Sequence, residues 1–146
     1  MSDPPAEESA VPRPLTTIDW ALAGTGVALG LGAMAVDHLL GDDPGLEDPP
    51  VFLLSAAIVL AIAVVLFGRV VRRAHEPRRA GFIVALLSVA SLPLIWLGAP
   101  FAIAPAAIAL GIRSAGRRAL AAVVIGVVVL LLVTGAYVYD AVEKLS

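Results

Sequence analysis

Residues 80–113 form the longest apolar stretch of the chain and read AGFIVALLSVASLPLIWLGAPFAIAPAAIALGIR. None of the 32 residues from Gly81 to Ile112 is charged. As one straight α-helix these residues would extend roughly 48 Å, which exceeds the hydrocarbon thickness of a bilayer even with ordinary tilt. The stretch is therefore predicted to turn back on itself. The best turn is Gly98-Ala99-Pro100, because glycine ends helices readily and proline suits the first turn of the next helix.

The turn divides the stretch into two arms, Ala80–Leu97 and Phe101–Arg113. The second arm reaches only ~20 Å as a helix. Two arrangements are compatible with that length. The arm is either a thin span, or part of a re-entrant hairpin that neighbouring helices cover.

Two prolines within the arms remove backbone hydrogen-bond donors. Pro93 leaves the carbonyl of Val89 without its usual helical partner. Pro105 does the same to the carbonyl of Phe101. Such groups need a substitute donor in lipid. The candidate local donors are two serines, Ser88 and Ser91.

The composition indicates an integral membrane protein. Of the 146 residues, 60% are hydrophobic and the mean hydropathy is +0.95, whereas soluble domains are about 45–50% apolar. Several runs approach the roughly 20 residues that cross ~30 Å of hydrocarbon. We therefore predict an all-α fold, a polytopic membrane helical bundle with four long helices and one short broken arm. The chain has no cysteine, which excludes disulfides, thiolate metal sites and cysteine catalysis.

The domain organisation follows from the apolar runs. Residues 1–17, rich in Pro, Glu, Ser and Ala, are predicted to form a disordered cytoplasmic tail. A single transmembrane domain covers residues 18–140, and residues 141–146 form a short polar tail. The predicted helices lie at 18–40, 51–71, 80–97, 101–113 and 118–139. The first helix has an alternative interpretation as a signal peptide cleaved near Ala33-Met34-Ala35, although the leading segment is long and net acidic.

Arginine clusters flank the central stretch on both sides. They comprise Arg72, Arg73, Arg78 and Arg79 before it and Arg113, Arg117 and Arg118 after it. Because basic residues accumulate on the cytoplasmic side of membranes, both clusters are predicted to lie there. The N-terminus is then cytoplasmic, and the acidic loop 41–50 and the C-terminus are external. Nine of the ten basic residues become cytoplasmic and only Lys144 external. The predicted location is the bacterial inner (cytoplasmic) membrane, as a multi-pass protein.

Small residues recur at helical spacing in two of the predicted helices. Gly26 and Gly30 form a GxxxG pattern that Gly32 extends, and Ala122 and Gly126 form a similar pair. Small residues let helix backbones approach closely in membranes. We interpret them as helix-packing positions rather than as a phosphate-binding loop, because no strand is predicted before the glycines. The partner helix is left open between this chain and another protein.

Asp37 and His38 are adjacent ionisable residues near the end of the first apolar run. One interpretation is a proton relay or half of a metal site, since ionisable residues inside a membrane are functional by default. Depth favours a hydrated interfacial polar site instead, because the twenty residues from Ile18 already reach Asp37. The arginine clusters are predicted to contact anionic lipids or a partner protein. No metal, cofactor or nucleic-acid partner is predicted.

The segment Ala80–Gly135 carries a further pattern. Its parts are an apolar helix, a turn with Trp96, Gly98 and Pro100, a second arm ending in Leu110-Gly111-Ile112-Arg113, a basic loop with Arg117-Arg118, and an Ala/Gly/Val-rich helix. Over these 56 of 146 residues, the chain resembles a family of uncharacterised small polytopic membrane proteins of actinobacteria. The resemblance implies a Gly/Pro-broken helical hairpin followed by a basic loop and a last helix. It implies no activity.

The sequence contains no recognisable catalytic constellation. A Ser-His-Asp grouping, paired carboxylates, an HExxH motif and a phosphate loop are all missing. We therefore predict a non-enzymatic structural or accessory subunit. It would pack through small-residue helix faces, as a homo-oligomer or within a larger membrane complex. The alternative is a small oligomeric transporter or channel in which the proline-broken hairpin lines a pathway.

Overall fold

The structure, a computed structural model, describes residues 13–40 and 49–146. In these residues there are five α-helices and no strand, which confirms the predicted all-α class for this part of the chain. The helices are α1 (Thr17–Leu40), α2 (Pro49–Val65), α3 (Pro77–Ala90), α4 (Ala99–Ile112) and α5 (Arg117–Leu145). A π-helical segment, Leu66–Val71, continues α2, and a 3₁₀ segment, Leu92–Leu97, precedes α4.

Two predicted segments fall largely outside the described residues. They are residues 1–12 of the predicted tail and residues 41–48 of the acidic loop. Thr17, assigned to the tail from the sequence, is the first residue of α1.

Helix α4 lies at the centre of the bundle. It is 14 residues long, and every residue from Ala99 to Gly111 is buried. The other four helices all contact it. Its sequence is compatible with this position, because a helix that is apolar on every side lies either in a protein core or in a membrane. Six of its 14 residues are alanine, so neighbouring helices can approach it closely. The short arm is thus covered by its neighbours.

Three helices are long and apolar enough to cross a membrane: Thr17–Leu39, Pro50–Val71 and Arg117–Leu145. Their outward faces carry large apolar side chains, including Leu53, Val64 and Leu131. Exposed apolar faces of this extent are not stable in water and are typical of contact with lipid. The three helices therefore indicate a membrane protein.

The predicted turn in the central stretch is confirmed. Gly98 has a left-handed backbone conformation (φ +67°) and directly precedes α4, whose first turn contains Pro100. A side chain at Gly98 would be strained in this conformation and would also overlap Met34 and Val59. Glycine is therefore required here for both backbone and packing reasons.

The first arm differs from the single helix predicted over residues 80–97. Helix α3 begins earlier, at Pro77, and ends at Ala90. The 3₁₀ segment then contains a residue with non-helical backbone angles, Leu94. Pro93 accounts for the break, because it has no N–H to donate and its ring clashes with the preceding turn. The central stretch therefore provides two helices of 14 residues each rather than one long helix and one short one.

Candidate functional site

Both arginine clusters lie at one end of the bundle, which we call the arginine-rich end. Arg113, at the end of α4, donates from Nη1 to the carbonyl oxygen of Val71 at 3.0 Å. It also forms an ion pair with Asp19 in the first turn of α1. In the loop before α5, the guanidinium group of Arg78 lies next to Gly116. Helices α3 and α4 therefore form a returning hairpin, as the charge pattern predicted.

Asp19 is the most deeply buried charged residue of this end. Its side chain is 2% exposed, against 19% for its partner Arg113. Oδ2 of Asp19 accepts bonds from the backbone N–H and the hydroxyl of Thr16, both at 2.6 Å. The backbone N–H of Asp19 donates back to the Thr16 hydroxyl at 3.3 Å. These reciprocal bonds form a capping box that starts α1.

The sequence interpretation missed Asp19. A usable signal was present, since Thr16 and Asp19 have the capping-box spacing directly before an apolar run. That signal predicts the cap but not the ion pair, because Arg113 is 94 residues further along the chain. The sequence groups Arg113 with the lipid-contacting arginines. The structure instead gives its guanidinium two protein partners, one on α1 and one at the end of the π-helical segment.

The other six arginines of the two clusters are exposed. They are Arg72, Arg73, Arg78, Arg79, Arg117 and Arg118. Four of them occupy the first turns of α3 and α5, where no acidic residue is present. Cations are unfavourable at helix N-termini because of the helix dipole. Their placement is therefore not explained by helix stability, and it produces a strongly positive surface.

The predicted helix-packing residues divide into two groups. Gly26 and Gly30 face α4: a Cβ on Gly26 would overlap the carbonyl oxygen of Phe101, and one on Gly30 would lie 3.1 Å from Phe101 Cβ. Ala122 is fully buried, and a Cβ on Gly126 would lie 2.9 Å from the carbonyl oxygen of Ala104. These four positions therefore pack against a helix of the same chain.

Gly32 belongs to the second group, with Gly24. A Cβ added to either glycine would meet nothing within 4 Å, and both glycines are exposed on α1. The sequence pattern treated the glycines of α1 as one set. In the structure, Gly26 and Gly30 lie on the face of α1 that packs on α4, whereas Gly24 and Gly32 lie on its outward face.

The carbonyls released by the prolines are not open to a ligand at α4. Gly26 packs directly on the Phe101 carbonyl, and its Cβ position lies 2.7 Å from Cγ of Pro105. The serine hydroxyls bond elsewhere: Ser88 donates to Ala85 O and Ser91 to Ser88 O, each at 2.7 Å. The two serine hydroxyls therefore do not donate to the carbonyls of Val89 and Phe101, contrary to the expectation from the sequence.

The opposite end of the bundle carries a second ionic cluster. Nζ of Lys144 lies 2.8 Å from Oδ1 of Asp37 and 2.8 Å from Oδ2 of Asp140. These contacts join the last turns of α1 and α5. The ring of His38 stacks on Phe52 with centroids 5.5 Å apart. Asp37 is thus partly exposed and ion-paired, in agreement with a polar site at a bundle end.

Two apolar grooves run along the outside of α1. The α1–α5 groove has a volume of about 320 Å³ and reaches down to Phe101 of α4. The α1–α2 groove has a volume of about 330 Å³ and is lined by residues that include Trp20, Gly24 and Gly68. The polar groups of both grooves are few, so neither resembles an aqueous pathway.

Within residues 13–40 and 49–146, no group of three or more His, Asp or Glu side chains is positioned to hold a metal ion. His38 and His75 lie at opposite ends, His75 being bonded to the carbonyl of Arg73 at 2.9 Å. No family model, curated protein or solved structure matches the chain. The resemblance to actinobacterial membrane proteins therefore stays a prediction.

Proposed function

We propose that this protein is a non-enzymatic structural or accessory subunit of the bacterial cytoplasmic membrane, which packs against a second copy or within a larger membrane complex. The observation that carries the proposal is the division of the molecule into an apolar interior and two separate charged ends. The buried interior is helix α4, in which every residue from Ala99 to Gly111 is covered by neighbouring segments of the chain. The outward surfaces of the helices are therefore the surfaces available for contact with another protein.

The α1–α2 groove is the surface best suited to another helix. Gly24 and Gly68 lie on its two walls, and a side chain at either would meet nothing within 4 Å. Open glycines permit close approach of a second helix backbone. Trp20 stands at the rim and is 64% exposed, and tryptophan is enriched among the residues that dominate binding energy at interfaces.

The arginine-rich end supports the proposed orientation, with the N-terminus in the cytoplasm and the C-terminus outside. All the exposed arginines of the two clusters would then meet the cytoplasmic leaflet, where each contributes about 1 kcal/mol of attraction to anionic lipids. Contact with such lipids is part of the proposal.

The test compares Gly24→Leu with a matched control, Gly135→Leu. Gly135 is also exposed on a long helix with nothing within 4 Å of its Cβ position, but it does not line either groove. Cross-linking in native membranes followed by purification should show the wild-type chain and the control in the same complex. Gly24→Leu should weaken the complex, because a large side chain at this position prevents the close approach of a second helix backbone. A strictly monomeric wild-type chain without partners would refute the proposal.

The transporter alternative has less support. Its pathway would need polar groups, and the linings of both grooves are almost wholly apolar. A solute or ion flux in liposomes that depends on Asp37, His38 or Ser88 would favour the transporter over the accessory subunit.

A further inference from the structure

The α1–α5 groove has the shape of a slot for a single hydrocarbon chain. Three small residues, Ala28, Gly32 and Ala33, line its α1 wall together with two larger ones, Leu29 and Val36. Phe101 of α4 provides the floor. The opposite wall is formed by α5 and includes Val138. The lining of the groove is almost wholly apolar, so it favours methylene groups over water and polar groups.

One end of this slot meets the ionic cluster of Lys144. A shallow surface cleft lined by Asp37, Asp140 and Lys144, which encloses no volume of its own, shares three wall residues with the groove, namely Val36, Tyr137 and Ala141. Apolar slot and charged cleft are therefore continuous. This combination matches an amphiphile, with its chain in the slot and its headgroup at the membrane surface.

The charge of the cleft selects the headgroup. Two carboxylates and one ammonium leave a net charge of −1. Lys144 uses two donors, one toward Oδ1 of Asp37 and one toward Oδ2 of Asp140. An ammonium group has three donors and a carboxylate has two acceptor oxygens. Within the part of the chain that the structure describes, Lys144 thus has a third donor for a phosphate. The second oxygen of each carboxylate can accept from a cation that carries N–H groups.

We propose that the α1–α5 groove binds one phospholipid with a primary-amine headgroup, of the phosphatidylethanolamine type. Its ammonium group is held by Asp37 and Asp140, its phosphate by Lys144, and one acyl chain by the slot above Phe101. A choline headgroup has the same net charge but no N–H donor. A glycerol headgroup leaves the lipid anionic, which the cleft disfavours. The proposal depends on insertion in a membrane but not on packing with another protein, so it can fail while the accessory role stands.

The experiment is native mass spectrometry of the full chain with dioleoyl lipids of three headgroups, ethanolamine, choline and glycerol, at equal concentration. One ethanolamine lipid per chain should be retained in preference to the other two. Gly32→Leu fills the slot and should lower retention clearly below that of the wild-type chain, because the acyl chain loses its van der Waals contacts with the α1 wall. Folding should survive, because a side chain at Gly32 meets nothing within 4 Å. Gly135→Leu, outside the groove, should leave retention unchanged.

The headgroup is tested separately. Asp37→Asn with Asp140→Asn should abolish the preference for ethanolamine over choline. Glu143→Gln removes an exposed carboxylate near the same end of α5 that does not line the cleft, and it should change nothing. Equal retention of the three wild-type lipids would overturn the proposal, as would equal behaviour of Gly32→Leu and Gly135→Leu. If the wild-type chain instead forms a dimer without bound lipid, and Gly32→Leu dissociates that dimer, a second copy of the chain occupies the groove. That result would also overturn the proposal.

Discussion

Replacing Asp19 by Asn tests the ion pair that joins the start of α1 to the end of α4. Asn keeps the size of the side chain and an oxygen that can accept from Thr16, so the helix cap survives while the charge is lost. Removing one partner of a buried ion pair destabilises a protein by about 3–5 kcal/mol, since the other charge stays desolvated. Arg113 is 19% exposed and keeps its bond to the Val71 carbonyl, so the low end, ~3 kcal/mol, is expected. Asp19→Ala also removes the bonds from Thr16 to the carboxylate, one half of the capping box, and should be more destabilising than Asp19→Asn.

The assay is thermal unfolding of the purified protein in mild detergent. For a chain of this length, about 3 kcal/mol corresponds to a Tm decrease of roughly 10 °C. Asp140→Asn is the control, because its carboxylate is 51% exposed in the pair with Lys144 and exposed pairs contribute only about 0–1 kcal/mol. A double-mutant cycle with Arg113→Gln isolates the coupling between the two charges. A Tm change for Asp19→Asn no larger than that of Asp140→Asn, or a coupling energy near zero, would refute the reasoning.

Three further predictions concern packing, orientation and lipid contact. Gly26→Ala should destabilise the protein by ~1–3 kcal/mol, because the added Cβ would overlap a carbonyl oxygen of α4. Gly24→Ala, where the Cβ meets nothing within 4 Å, should be neutral or slightly stabilising. Equal Tm shifts in the two variants would contradict the packing. A cysteine introduced at Ala115 should react with an impermeant thiol reagent only from the cytoplasmic side. Labelling in intact cells would show that the proposed orientation is wrong. Replacing Arg117 and Arg118 by Gln should reduce the enrichment of spin-labelled phosphatidylglycerol around the protein about fivefold per arginine at low salt, and a loss that persists at about 1 M salt would argue against an electrostatic contact.

The enclosed position of α4 explains a composition that otherwise looks unsuited to a membrane helix. A helix that faces lipid gains nothing from small side chains. A helix that faces four other helices needs them, because each alanine or glycine shortens the distance between backbones. Gly26, Gly81 and Gly126 approach α4 from three different helices. Substituting any of them would push one wall of the bundle outward.

Several features followed from local chemistry and were predictable. Helices arise wherever apolar runs are long, and the turn at Gly98 arises because glycine accepts a positive φ and proline favours a first helical turn. The return of the hairpin followed from the arginines at both of its ends. The interruption at Leu94 was less predictable, because Pro93 can end a helix or merely bend it, and the neighbouring structure decides which occurs.

Residues 80–113 therefore determined by themselves that the chain is a membrane-type helical protein with a hairpin at its centre. Hydropathy, proline and glycine act on the backbone within a few residues of where they occur. Only the tertiary structure decided that Asp19 meets Arg113, that Gly26 packs inward while Gly32 faces outward, and that Asp37, Asp140 and Lys144 share one cleft. These relations depend on the rotation of each helix about its axis. That rotation is set by the fit of side chains across all five helices at once, and no single stretch of sequence encodes it.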